Sequence, residues 1–515
     1  MKNLSIALED NAQKIPSHTA IISGEKKISF KELDQLSNKV ANLILGLGVK
    51  LGDSIALQCP NIHFFPIIYY GILKMGGIVV PLSILLKKNE ISYILNNSNT
   101  KLFFFYEGDQ TINISREAKQ AIKKCPELLD SILIENEDNL FFNNPSIKKF
   151  SFLMENESNE FDFTNTNSDQ TAVIIYTSGT TGKPKGAELT HSNLAWNAKI
   201  TIDLFDFRKG DIALNVLPLF HIFGQNCIMN ASIFAGISNI LLKRYDPEDV
   251  IQIIQKKKVT IFAGVPTMFW GLLNGLNFFD LKKIQLLKKH WRIALSGGAA
   301  MPVELLNDFE KTYEVPIFEG YGMSEASPLV TYNFPGHKRK IGSVGIPLWG
   351  VQVKVVNKKL IELPNYEVGQ IIFRGHNVMK GYFNNDKATK NAIKKGWMQS
   401  GDLGYRDDEG YFFVVDRMND LIIRGGTNIY PREIEEEIIK HPKISLVAVV
   451  GIPDQRMGEE IKAYLVLKKD KILSKAEFKT WIMEKVAANK YPREIEIVSE
   501  LPMNATGKIL KRKLK

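Results

Sequence analysis

The sequence predicts an α/β protein with a smaller C-terminal unit, on the strength of three patterns. Up to about residue 330, short β-branched apolar runs alternate with helical periodicities. From about 340 to 415 the pattern turns to short strands between glycine turns, and after Asp416 α/β alternation returns on a smaller scale. Such β-α-β order implies parallel sheets covered by helices, because a parallel crossover needs a long connection.

The first helix of the alternation spans Ile28 to Leu47. Ser29 and Glu32 have the spacing of a capping box, and Leu33, Leu36, Val40, Leu43 and Leu47 recur at helical intervals. A strand follows at Ser54–Cys59. Phe64–Leu86 is apolar and long enough to span a bilayer, but Pro66, Gly71, Lys74, Gly76, Gly77 and Pro81 divide it. It reads as a helix of two or three turns, a Gly-Gly turn and the strand Ile78–Val80, not as a membrane span. Lys101–Tyr106 is the next strand. Residues 135–170, rich in Asn, Glu and Ser, read as surface connections between two α/β halves, and Thr171–Tyr176 as a buried strand. Later strands are expected at Val351–Val356, Gly369–Phe373 and Tyr411–Val415. The last stretch of about 100 residues is long enough for its own domain: helix 431–440, strands 445–450 and 461–468, helix 474–488 and strand 494–498.

Composition narrows the class. The chain has 515 residues, 44% hydrophobic and 24% charged, which excludes a disordered or collagenous chain. Cys59, Cys125 and Cys227 lie far apart, which argues against a disulfide framework or a zinc site and fits a reducing cytoplasm. Met1–Pro16 is polar and lacks a signal peptide's apolar stretch. The net charge of +10 raises a nucleic-acid or membrane-surface reading. However, only 13 of the 66 basic residues are Arg, and the lysines are dispersed as on a solvated surface. No nucleic-acid partner is expected. A mild positive field favours small anionic substrates.

The strongest chemical signal is Tyr176–Gly186, YTSGTTGKPKG. Gly179, Gly182 and Gly186 clear side chains from the turn. Thr177, Ser178, Thr180 and Thr181 supply hydroxyls, and Lys183 and Lys185 supply charge. A buried strand running into such a loop presents backbone N–H groups to phosphate. It is not a Walker A loop, because Pro184 follows Lys183 where a hydroxyl is required.

This loop resembles the phosphate loop of the adenylate-forming superfamily of acyl-CoA synthetases, luciferases and peptide-synthetase adenylation domains. Other segments resemble that family's motifs in the same order: Leu73–Gly77 before Val80–Pro81, Leu217–Gly224 with its aromatic–His pair, Ser296–Ala300, Gly320–Glu325, Trp397–Asp402, Asp416–Asp420 and Pro502–Lys508. They cover nearly the whole chain. The resemblance implies a large N-terminal adenylation domain, residues 1–417, of two α/β subdomains plus a small β-barrel. A small, mobile α+β C-terminal domain, residues 418–515, carries the catalytic lysine.

The resemblance also implies roles. Residues 177–183 (Thr177, Ser178, Gly179, Thr180, Thr181, Gly182, Lys183) would hold the β- and γ-phosphates of ATP. Gly298, Ala299, Ala300, Tyr321 and Gly322 would enclose adenine. Asp402 would accept from the ribose hydroxyls, and Arg417 would reach the ribose or phosphate side. Glu325 would hold Mg²⁺, Ser324 would donate to the α-phosphate, and His221 would stand beside the acyl site. Lys508 would lie between the carboxylate and the α-phosphate. Taken singly, Glu325 reads as a helix-start residue, Asp402 as a turn aspartate, His221 as a core histidine and Lys508 as part of a basic tail; their joint order gives them chemistry. Asn419 departs from the family's usual Asp or Lys pivot, and Ser324 from its usual Thr.

Phe262–Met268, Gly320–Pro328 and Asn377–Tyr382 look most like bacterial fatty-acid CoA ligases. Arg424–Gly425–Gly426 with Asn428–Pro431 resembles the loop lining the pantetheine tunnel of CoA-using members. The expected activity is therefore ATP-dependent activation of a medium- or long-chain fatty acid to acyl-AMP, then transfer to CoA. The alternatives are an acyl-AMP ligase serving an acyl carrier protein and a CoA ligase for another acid. The compact run from Glu325 to Asp402 speaks against the carrier-protein branch. A homodimer and peripheral membrane contact are compatible with the sequence.

Overall fold

The structure is a computed structural model. It describes residues 2–109, 112–137, 148–162, 166–177, 183–275, 287, 289–504 and 507–515. Two large mixed sheets, a five-stranded antiparallel sheet and a five-stranded C-terminal sheet organise these residues.

The first large sheet has eight strands. From its edge the order is Gly381–Tyr382, Lys185–Thr190, Thr171–Thr177, Ile78–Pro81, Ser54–Gln58, Thr100–Tyr106, Asp130–Ile134 and Lys148–Lys149. Its central strands are buried along their whole length, which is why they read as continuous apolar runs. The apolar stretch at 64–86 is divided as the glycines and prolines dictate, into the helix Phe64–Lys74 and the strand Ile78–Pro81. Among the described residues no helix is long and apolar enough to cross a membrane. The helix Phe30–Gly46 begins at the expected cap: the Glu32 N–H donates to Ser29 Oγ, and the Ser29 N–H to Glu32 Oε2.

The second large sheet has nine strands, in the order Ile346–Pro347, Leu329–Tyr332, Ile317–Gly322, Ile293–Ser296, Ile261–Gly264, Ile212–Asn215, Ser238–Leu241, Thr19–Ser23 and Lys26–Ser29. The N-terminal hairpin therefore joins the sheet of the second half, through Ile21–Ser23 lying parallel to Asn239–Leu241. Strand order reverses between Ile212–Asn215 and Ile261–Gly264. In open α/β sheets the crevice beyond the carboxyl ends of strands at such a reversal is where ligands bind.

The segment expected as a small barrel is antiparallel. Val351–Val356, Gly369–Gly375, Trp397–Arg406 and Ile393–Lys394 pair in that order, and Phe412–Arg417 pairs with Trp397–Arg406. The smaller C-terminal unit has its own core, including Ile422, Ile434, Val449, Ile461 and Phe478. Its second helix, expected over 474–488, is shorter, Lys475–Met483. It ends where the Lys485 and Val486 N–H groups both converge on the Ile482 carbonyl, a closing turn ahead of Pro492.

Candidate active site

The carboxyl ends of the strands Ile293–Ser296 and Ile317–Gly322 lead into several of the expected site residues. Ile317–Gly322 delivers Tyr321 and then the short 3-10 turn Ser324–Ala326. Gly320 and Gly322 are obligatory for this path. A Cβ on Gly320 would lie 2.1 Å from the Tyr332 ring, and one on Gly322 would lie 2.0 Å from the Pro328 carbonyl oxygen. The neighbouring strand Ile293–Ser296 leads into Gly297–Ala300, where Gly298 takes φ +80° and is exposed beside Val265.

Tyr321 and Asp402 are joined directly: the Tyr321 hydroxyl donates to Asp402 Oδ2 at 2.6 Å, and both residues are buried. Arg417 Nε stands 3.3 Å from the other carboxylate oxygen. Residues 402 and 417 are cross-strand partners in the antiparallel sheet, which sets this pair. Burial and the Asp402 charge push the Tyr321 phenol well above its ordinary pKa, so it stays a donor. The Asp402 carboxylate keeps lone pairs for a diol, since two oxygens offer about four acceptor positions.

Lys508 reaches the same place from the far end of the chain. Its N–H donates to Asn504 Oδ1 at 2.9 Å, and the Asn504 N–H donates back to the Lys508 carbonyl at 2.9 Å, closing a turn that presents the side chain. Thr267 Oγ1 donates to the Gly507 carbonyl at 3.2 Å, docking that turn on the larger domain. Burial, then the Arg417 charge, pull the Lys508 ammonium down to about 8, against the opposing pull of Asp402 and Asp420. His221 is close enough to feel it: burial and then the Lys508 charge lower the imidazole to about 4. The neutral ring accepts from the Phe223 N–H at its Nδ1, 3.4 Å away. The π-helix Phe223–Asn230 follows at once, a form of helix concentrated at functional sites.

Glu325 is buried, and Oε1 of its carboxylate accepts from Thr177 Oγ1 at 3.3 Å and from the Tyr382 hydroxyl at 2.8 Å. Tyr382 gets there because Gly381–Tyr382 pairs with Glu188–Ala187 at the sheet edge. Lys185 lies over the Tyr382 ring at 5.2 Å and Lys183 over the Tyr93 ring at 5.4 Å. Ser178, Gly179, Thr180, Thr181 and Gly182 lie outside the described residues. The donors here are all oxygen, which fits Mg²⁺. Among the described residues no three His, Cys, Asp or Glu side chains converge as a metal cage. One carboxylate completed by substrate phosphates is the arrangement Mg²⁺ commonly adopts.

Gly425 and Gly426 are not part of this cluster. They take φ +56° and +79°, and the Gly425 N–H donates to the Met457 carbonyl within the C-terminal unit. A Cβ on Gly426 would meet nothing within 4 Å. Sequence reasoning missed Tyr382, Thr267 and the buried Glu319. Tyr382 was in view as part of Asn377–Tyr382, but nothing local tied it to Glu325.

Comparison with known proteins shows the family. Residues 8–383 match the AMP-binding enzyme family, and residues 433–508 match the AMP-binding enzyme C-terminal domain. A long-chain-fatty-acid–CoA ligase of Bacillus subtilis (strain 168) is 37% identical, covering 100% of this chain and 94% of its own. A feruloyl-CoA synthase of Amycolatopsis sp is 31% identical over 97% of this chain and 96% of its own. Among solved structures, the anthranilate CoA ligase AuaEII in complex with anthranoyl-AMP superposes with a TM-score of 0.91 at 27% identity, covering 99% of this chain and 96% of that one.

Proposed function

We propose, since the chain belongs to the AMP-binding enzyme family and is a CoA ligase that works through an acyl-adenylate, that its acid is a medium- or long-chain fatty acid and that free CoA accepts the acyl group. The observation that carries the choice of acid is the full-length similarity to a fatty-acid ligase, at 37% against 31% for a feruloyl-CoA synthase. The buried, unbridged Cys59, Cys125 and Cys227 support a reducing, cytoplasmic setting.

In the first half-reaction a carboxylate oxygen attacks the α-phosphorus of ATP, and the bond to pyrophosphate breaks. Both reactants are anions, so the protein's task is to position them and offset charge. Lys508 brings an ammonium to the point where carboxylate and α-phosphate meet. Tyr321 and Gly298–Ala300 bracket adenine, Asp402 takes the ribose hydroxyls, and Arg417 supports Asp402. Thr177, residues 178–182 and Lys183 hold the outer phosphates. Ser324 donates to the α-phosphate, and neutral His221 stands beside the acyl site. Glu325 would hold Mg²⁺ beside the ATP phosphates, where the ion would offset negative charge. In the second half-reaction the CoA thiolate attacks the acyl carbon and AMP leaves. For this step we assign the lining of the pantetheine arm to Gly425 and Gly426, on a C-terminal domain, residues 418–515, that turns about Asn419.

Pyrophosphate release with ATP, Mg²⁺ and saturated acids of graded length, beside ferulate, succinylbenzoate and anthranilate, tests the substrate. Fatty acids should exceed the aromatic acids in kcat/KM. A preference for an aromatic acid would overturn this reading while leaving the ligase chemistry intact. A holo-carrier protein outperforming CoA as acceptor would overturn the second half.

A further inference from the structure

Arg432 is the second residue of the helix Pro431–Ile438, which buries Ile434 and Ile438 in the core of the C-terminal unit. Two of its polar groups reach out of that unit, to the strand Phe412–Arg417 of the larger domain. The guanidinium Nη1 donates to the Val414 carbonyl, and the backbone N–H donates to Asp416 Oδ2 at 3.1 Å. A third bond stays within the helix: Nε donates to Glu436 Oε1 at 2.9 Å, one turn along. The side chain so held is 15% exposed.

The place of Val414 in the sheet explains why its carbonyl is there to be taken. One edge of Phe412–Arg417 pairs with Trp397–Arg406. At the other edge the Phe412 N–H donates to the Gly345 carbonyl and the Val344 N–H to the Phe412 carbonyl, both at 2.9 Å. Val414, two residues on, turns its carbonyl to that same edge, and Arg432 caps it. A guanidinium on a carbonyl and an N–H on a carboxylate are both charge-assisted, roughly twice as strong as neutral hydrogen bonds. The contact of Thr267 Oγ1 with the Gly507 carbonyl, which also joins the two units, is a neutral pair at 3.2 Å.

Val414 and Asp416 precede Asn419 in the chain, and Arg432 follows it. A turn of the unit about Asn419 carries Arg432 away from both partners but leaves it Glu436, which travels on the same helix. We propose that Arg432 is a positioning residue: its bonds to Val414 and Asp416 hold the C-terminal unit in the arrangement that inserts Lys508, and they part when the unit turns for acyl transfer. Glu436 keeps the fork aimed while the unit is away, so that less side-chain freedom is lost on return. The inference rests on the two-step reading of function given above.

The test uses the full chain with K358C and K479C, both at exposed positions, labelled with a donor and an acceptor dye; the three native cysteines are buried. Single-molecule energy transfer reads the seated fraction without turnover. R432M keeps an apolar stem and removes the guanidinium donors, and its seating constant should fall by about 10- to 100-fold. R432K, a point charge without a fork, should fall between R432M and the unaltered side chain. In single-turnover assays R432M should form acyl-adenylate more slowly, in proportion to the seated fraction lost. Given preformed acyl-adenylate, it should pass the acyl group to CoA at an undiminished rate. A merely structural defect would slow both steps, and circular dichroism confirms folding. An unaltered seating constant in R432M overturns the proposal, and so does equal slowing of both steps. A seating constant that falls as expected in a protein that activates no acid would sink the functional reading instead.

Discussion

The electrostatics of single residues make the sharpest demands. Lys508 titrates near 8 because burial and Arg417 disfavour its charge. In the proposed mechanism adenylation uses that charge, so first-turnover pyrophosphate release should fall as pH rises through about 8. K508R stays charged throughout and should lose this fall, at a reduced rate because a planar fork replaces a point charge. Stopped-flow profiles from pH 6 to 10 check both. Glu325 leans on Tyr382 and Thr177. E325Q should cut adenylation by about 10²–10³-fold, whereas Y382F, which removes the hydroxyl that orients the Glu325 carboxylate, should raise the Mg²⁺ requirement with a smaller loss of rate. Titration of Mg²⁺ against rate separates the two. Lys508, Asp402 and Glu325 were candidates from the sequence only because the runs that hold them resemble one family's motifs in order; each alone reads as an ordinary residue. Tyr382, Thr267 and Glu319 were not, because their partners lie 57, 240 and 18 residues away.

Elements follow the same division between local and distant causes. The helix Phe30–Gly46 was readable from its cap and periodicity, and the strand Thr171–Thr177 from its apolar run Ala172–Tyr176. The strand Trp397–Arg406 escaped notice: Gly401 and Gly404 interrupt it, and it becomes a strand through partners on both sides. The sheet that the Thr19–Ser29 hairpin joins is likewise fixed by tertiary pairing with Ser238–Leu241. The π-helix Phe223–Asn230 depends on close approach at its start, where a Cβ on Gly224 would lie 2.7 Å from the Leu217 carbonyl oxygen. G224A should therefore displace the His221 turn. We expect a loss of about 1–3 kcal/mol in stability together with a drop in kcat/KM. Thermal unfolding and steady-state kinetics read these, and a fully active, equally stable variant would remove the helix start from the account.

The molecule as a whole carries two sets of residues that do not meet. Lys508 is lodged among Arg417, Asp402 and His221, while Gly425 and Gly426 face elsewhere in the same C-terminal unit. On the proposed mechanism this seating suits adenylation, and the unit turns for thioester formation. On the proposed turn about Asn419, N419P, which fixes one backbone angle, should slow thioester formation more than adenylation in single-turnover assays. The most direct measurement is on K508A, with circular dichroism to confirm folding. Adenylate formation from ATP and a fatty acid should slow by about 10²–10³-fold, while the variant, given preformed acyl-adenylate, should make acyl-CoA at close to the normal rate. Equal impairment of both steps would contradict the claim that Lys508 serves only the first.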